Sequence, residues 1–506
     1  MTPKELGLHL RIHSLIGVFL SYTTLSLVGS GCGPGRSLKT GEDPPRALPP
    51  IVTASLPADH YYIFDAECQE QTPALPLENG IVFHSTQFGL SEPRTDFTSV
   101  GLESSPGLRG PTATQIIVGA RYDRQCPSSL RGMSCDGPDG YIDWRVVAPG
   151  RSVKLCQPRS AYARESLEGI GVTTLYYLER AAQRYRAVVP SLPALRLEVV
   201  PEYSSLYVNE QDASHNPQAV RTFITRNMAY FPDRDRIVVW PEAAADQPES
   251  LKWGHLWESA FVVGHEVGHH LEHQIVLSLG IQQPLTWNGS THSGSATQLP
   301  ADSLIEHRRR IIGAISEAFA DLASFYANDE DEESIRGTAC IGFSRNPKDA
   351  LFGAPQGETP LPKSLDVAAV TELLGPQRGS ECVRPNFSDF HATGAVLAHT
   401  ISRIADLLAM AAHSPADRAA GLKLRFTTAW LRAAFQAEAT HVPKMGDAGD
   451  AFQFLAHAIE SAVDSQLLSE GIAASQHAIL RSQVCQLAAI KLPVMRPLPF
   501  ANSCSR

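Results

Sequence analysis

At 506 residues, with 43% hydrophobic and 19% charged side chains, the chain can bury a substantial core and has the composition of a globular protein. A net charge of −10 and the lack of any basic block exclude the electrostatic footprint of nucleic-acid binding, so no nucleic-acid partner is expected.

Lys4 and Arg11 precede an uncharged apolar stretch, Ser14 to Val28, and the small residues Gly29-Ser30-Gly31 lead to Cys32. That is the layout of a secretory signal peptide over residues 1–31. Its apolar part is shorter than the roughly 20 residues of a membrane span, and no later segment reads as one. The residues before Cys32 resemble a bacterial lipobox, in which the cysteine is acylated and becomes the N-terminus. Two readings stay open: membrane attachment through lipid on Cys32, or ordinary cleavage and release. Either predicts an exported protein, in the cell envelope (periplasmic or surface side) or secreted. Of nine cysteines, Cys32 aside, eight remain, an even number suited to disulfides in an oxidising compartment.

Residues 32–50, rich in Gly, Pro and charge, read as lipid-anchor Cys plus linker. Residues 51–159 carry short apolar runs (Tyr61–Phe64, Gly80–Phe83, Gln115–Val118, Tyr141–Val147) between Gly, Pro and Ser clusters. They predict a β-rich, Cys-containing N-terminal module. Residues 160–390 alternate helical and strand patterns: a helix over Gly171–Val188, strands over Leu195–Val200 and Arg236–Trp240, and helices over Leu256–Leu279 and Ser303–Ala327. A Ser/Thr/Gly-rich loop, Asn288 to Gln298, separates the last two. Residues 391–506 read as a helical subdomain, with breaks near Ser414-Pro415 and Pro443–Gly449. The fold class expected is α+β.

The sharpest chemical signal is His265-Glu266-Val267-Gly268-His269. On a helix, positions i and i+4 share a face, so both imidazoles can bind one ion while Glu266, offset by one, reaches a water on it. The apolar run Ala260–Val263 predicts that this helix is buried, where unsatisfied His and Glu side chains would be costly and a metal would satisfy them. Gly and His at three and six residues past the second ligand would mark a metzincin, but those positions hold Glu272 and Ile275. In Gly313-Ala314-Ile315-Ser316-Glu317-Ala318-Phe319-Ala320-Asp321, two carboxylates lie i, i+4 on an otherwise small, apolar helix. Glu317 as third ligand and Asp321 as acceptor for a ligand-imidazole N–H account for both. His270 and His273 are expected at the surface, since a fourth protein ligand would close the site to water.

These two motifs, VVGHEVGHH and GAISEAFAD, resemble the zinc helix and the Gly-Ala-x-Asn-Glu-Ala-x-x-Asp signature of the thermolysin-like and fungalysin-like gluzincins. The resemblance implies a catalytic domain with an α/β half carrying the zinc helix and a mainly helical C-terminal half. It implies zinc on His265, His269 and Glu317, Glu266 as general base, and Asp321 orienting His265. Asn227-Met228-Ala229-Tyr230-Phe231 resembles the family's substrate-binding edge strand, so Asn227 and Ala229 are implied peptide contacts. Asp389-Phe390-His391-Ala392-Thr393-Gly394 resembles the segment whose His stabilises the oxyanion, which implies that role for His391 with Asp389 as its partner or as a helix cap.

The function expected is zinc-dependent endopeptidase action on peptide or protein substrates. No Tyr lies between the zinc helix and Glu317, where thermolysin-type enzymes have one. That keeps open an alternative: a weak or inactive metallopeptidase-like envelope lipoprotein that binds peptide or a protein partner.

Overall fold

A computed structural model describes residues 113–118, 121–125, 143–148, 151–152, 167–199, 202–208, 219–223, 227–232, 235–240, 256–281, 304–335, 345–352, 359–375, 387–388 and 390–495. The expected signal peptide, Cys32, the linker, the Ser/Thr/Gly-rich loop and Asp389 lie outside them. Among the described residues the protein is mainly helical with a smaller β portion, an α+β fold.

Nine strands are described: β1 (Ala113–Val118), β2 (Arg121–Gln125), β3 (Asp143–Ala148), β4 (Arg151–Ser152), β5 (Leu195–Val199), β6 (Glu202–Val208), β7 (Ala219–Phe223), β8 (Asn227–Phe231) and β9 (Arg236–Trp240). They form a five-stranded sheet, β4-β1-β5-β9-β8, and a four-stranded sheet, β3-β2-β6-β7. In the first, β1, β5 and β9 are parallel, while β4 and β8 close the edges antiparallel. The two sheets share one pairing offset between β1–β2 and β5–β6. Val118 faces Val199 in one, Arg121 faces Glu202 in the other, and the same two chain segments run side by side through both. Strands on either side of residue 159 therefore share hydrogen bonds in each sheet.

The helices are α1 (Leu167–Arg186), α2 (Ala260–Ser278), α3 (Leu304–Ala327), α4 (Glu332–Ile335), α5 (Val367–Leu374), α6 (Phe390–Ala411), α7 (Ala416–His441), α8 (Phe454–Ser469) and α9 (Ala474–Lys491). The expected helices recur with ends shifted by a few residues. One break escapes the sequence pattern: Gly471, at φ +64°, separates α8 from α9. Helix α1 packs across β1 and β5 and against α2. Helix α3 lies at the centre, touching α1, α2, α6 and α7, and every residue from Arg310 to Ala327 is buried. A helix buried on all sides loses the polar stripe of a surface helix, and from Ile311 to Ala327 the charged residues of α3 are Glu317 and Asp321 alone. Helix α6 is in fact long and apolar enough to pass for a membrane span, contrary to the sequence reading, but most of that stretch is buried between α3, α7 and α9.

Small residues set how closely α2 and α3 approach. A Cβ on Gly268 would sit 3.0 Å from Ala320 Cα, and one on Gly264 would sit 2.5 Å from Ser324 Oγ. The two glycines are four apart on α2 and face Ala320 and Ser324, likewise four apart on α3. This near-backbone contact brings the faces carrying His265, His269 and Glu317 together. Ser259 starts α2 by accepting a hydrogen bond from the Val262 N–H at 3.2 Å, and Ser324 Oγ donates to the Phe261 carbonyl across the crossing.

Candidate metal centre

His265 and His269 project from the same face of α2, and Glu317 from the facing side of α3; all three are almost completely buried. His265 Nε2 lies 3.0 Å from His269 Nε2 and 3.3 Å from Glu317 Oε2, and His269 Nε2 lies 3.6 Å from Glu317 Oε1. An ion held tetrahedrally at about 2.0–2.1 Å would have donor atoms about 3.3 Å apart. The three separations bracket that value, so this cluster could hold a metal ion.

Asp321 lies one turn beyond Glu317 on α3, and its Oδ1 is 2.9 Å from His265 Nδ1. A carboxylate there keeps the proton on Nδ1 and leaves the Nε2 lone pair facing the cluster. From α6, His391 Nε2 lies 3.5 Å from Glu317 Oε2, with its ring stacked on Phe390. Burial by itself would raise the Glu317 pKa; His391, His265 and His269 outweigh it and hold the carboxyl well below the usual carboxylate range.

Glu266, buried beside the two histidines, accepts a hydrogen bond from the Tyr230 backbone N–H at 2.9 Å. Burial pushes its carboxyl up to about 8, against the pull of His269, with the Glu317 charge adding to the rise. The contact also fixes the orientation of β8. Because Tyr230 N–H points at α2, alternation along an antiparallel strand turns the Ala229 N–H and C=O toward β9, where Ala229 pairs with Val238. The Ala229 side chain is buried. Asn227 is the first residue of β8, and its side chain lies outside the described residues.

The structure adds three groups that the sequence did not single out. Arg345, 3% exposed, donates from Nη2 to Glu317 Oε2 at 2.8 Å and from Nε to Asp321 Oδ2 at 3.1 Å. Its Nη2 is 3.4 Å from both ring nitrogens of His265, so it does not sit on the lone pair of either one. Burial works to raise the Asp321 pKa, but Arg345 and His265 hold it down. Glu272 Oε2 lies 3.3 Å from His269 Nδ1, and Ser316 Oγ lies 3.1 Å from that same nitrogen and donates to the Glu272 carboxylate. Glu272 and Ser316 were legible as neighbours of the motifs; Arg345, in an irregular segment, had no periodicity to mark it.

His270 and His273 are buried, not at the surface as expected. Tyr230 Oη, 2.7 Å from His273 Nδ1 and 3.2 Å from His270 Nδ1, donates to Asp235, and His270 Nε2 reaches the Pro193 carbonyl at 3.0 Å. Two polar rings on a buried helix thus find hydrogen-bond partners in the β8–β9 turn and the loop before β5. Asp235 sits there at φ +44°, a left-handed conformation that Asp tolerates better than most residues.

Comparison of the chain with protein-family models, curated proteins and solved structures yields no match.

Proposed function

We propose that this protein is a zinc-dependent endopeptidase. The observation that carries the reading is the convergence of His265, His269 and Glu317 from two helices, with Glu266 one residue from the first ligand and tied to a sheet-edge strand. Two imidazole nitrogens and one carboxylate oxygen, with no fourth protein ligand among the described residues, form the donor set of a catalytic zinc site. When bound, zinc supplies Lewis acidity that polarises a carbonyl and lowers the pKa of a coordinated water.

The residues of the chain do the rest. Glu266 takes the proton of the attacking water and returns it to the departing amine; its raised pKa suits a group that must both accept and give up a proton near neutrality. His391 donates toward the developing oxyanion from the flank of Glu317. Asp321 holds His265 in the tautomer that faces the metal. An extended peptide would lie beside β8, the edge strand next to α2, without pairing through the Ala229 N–H and C=O, which face β9. The arrangement proposed is gluzincin-like, with the cleft between the strand-bearing part that includes α2 and the helices from α6 onward. Export, with Cys32 as a lipid attachment point, completes the reading, and Cys485, which is disulfide-bonded, agrees with an oxidising compartment.

The second reading is a peptide-binding envelope lipoprotein with little or no activity. It draws on Arg345, which already neutralises Glu317 without any metal. One comparison separates the two. Wild type should cleave casein or a peptide library, and cleavage should stop with a chelator and in Glu266→Gln. Equal turnover by wild type and the variant would remove the endopeptidase reading.

A further inference from the structure

We infer that Glu272, acting with Ser316, is a second positioning carboxylate of the metal centre, fixing His269 as Asp321 fixes His265. The inference rests on the metal-site reading above and adds a residue that the gluzincin resemblance does not supply. Glu272 follows His269 by one helical turn on α2 and is completely buried. Its Oε2 faces His269 Nδ1 at 3.3 Å. Ser316, next to Glu317 on α3, lies 3.1 Å from that nitrogen and donates to the same carboxylate oxygen. A metal ligand and its neighbour from each helix thus meet at one point.

The carboxylate decides the tautomer. An acceptor at Nδ1 holds the His269 proton there, as Asp321 does for His265, so both Nε2 lone pairs face inward at 3.0 Å from each other. Two lone pairs that close repel unless a cation lies between them. The charge balance points the same way. Glu272 is completely buried, its Oε1 has no hydrogen-bond partner among the described residues, and the guanidinium of Arg345 is paired with Glu317 and Asp321. Burying a carboxylate with so few partners is costly, and a divalent cation on the far side of the His269 ring offsets it through the imidazole. The uncharged Ser316 hydroxyl alone would satisfy the nitrogen without making it a stronger donor. Glu272 therefore serves metal affinity and not merely packing.

The test is zinc affinity of the full-length protein by competition with a chromogenic chelator, for wild type, Glu272→Gln, Glu272→Asp and Ser316→Ala. Glu272→Gln keeps the shape and removes the charge; its zinc affinity should fall about 10–100-fold, and the cobalt(II)-loaded protein should shift its visible bands. Far-UV circular dichroism of the metal-free variant should match wild type. Glu272→Asp should recover part of the loss, which a packing role would not predict. Should Glu272→Gln not fold, Ser316→Ala reads the same contact and should weaken zinc binding several-fold. Wild-type affinity in Glu272→Gln, or in Ser316→Ala where that variant stands in, overturns the inference. Wild type that takes up no stoichiometric zinc overturns the metal-site reading itself, and the inference with it.

Discussion

Gly394 on α6 lies so close to Glu317 on α3 that a Cβ at residue 394 would stand 2.9 Å from Glu317 Cβ and 3.1 Å from the Ala314 carbonyl oxygen. Neither neighbour is the end of a flexible side chain, so the helices themselves must move. Gly394→Ala should cost about 1–3 kcal/mol of stability through overpacking and should weaken zinc binding by displacing the Glu317 carboxylate. Gly421→Ala in α7 is the control: its Cβ would meet nothing nearer than Arg425 Nη1 at 3.7 Å. There the better helix former should stabilise by up to about 1 kcal/mol. Chemical denaturation of both variants decides it, and equal effects would mean that α3 and α6 are not held at this separation.

Arg345 is the only side chain on this site that brings a permanent positive charge among its described contacts to Glu317 and Asp321. Removing one member of a buried charge cluster leaves the others uncompensated, at a cost of about 3–5 kcal/mol. Arg345→Met should show that loss in the presence of a chelator. With saturating zinc the loss should shrink, because the metal neutralises Glu317 directly. Denaturation midpoints measured in both conditions give the comparison; losses of the same size would mean that the guanidinium and the metal do not share Glu317.

The parts of this site that could be read from sequence are those governed by helical spacing. His265, Glu266 and His269 within one turn and a residue, and Glu317 with Asp321 one turn apart, are local patterns, and both helices appear at nearly the expected bounds. What could not be read depends on contacts between distant segments. Arg345 enters from residues without regular structure, so no period points to it. His270 and His273 looked like surface residues because polarity was the only guide, whereas Tyr230, Asp235 and the Pro193 carbonyl, all far away in the chain, are their partners. Strands β6 and β7 were not foreseen either; β6 is defined by parallel pairing with β2, a contact across about 80 positions that local pattern cannot carry.

Metal removal should be visible in stability as well as activity. A ligand that binds only the folded state stabilises it by RT ln(1 + [L]/Kd), about 4 kcal/mol at 1,000 times Kd. Zinc added at that excess to chelator-stripped protein should raise the thermal midpoint by several degrees. His269→Ala should abolish the rise, whereas an exposed histidine such as His457, 65% exposed at its side chain, can be replaced without effect on it. A midpoint indifferent to zinc in wild type would argue that the two imidazoles and Glu317 do not act as a metal site.

His399 on α6 gives a pH dependence that is separate from the metal centre. Its ring is buried, and Nδ1 donates to the Pro347 carbonyl at 2.8 Å. Burial pushes its pKa down to about 4, against the upward pull of that hydrogen bond, so the folded protein keeps the ring neutral where the unfolded chain, near 6.5, takes up a proton. Between about pH 6.5 and pH 4 the unfolded state therefore binds more protons, and stability falls as pH falls, by at most about 1.4 kcal/mol per pH unit from this group. The contribution is fully present above pH 6.5 and is lost toward pH 4. His399→Asn retains an N–H donor for Pro347 but does not titrate. Urea midpoints at pH 7.5 and 4.5 should fall less steeply for the variant than for wild type. Parallel pH curves for the two proteins would show that His399 is protonated equally in the folded and unfolded states.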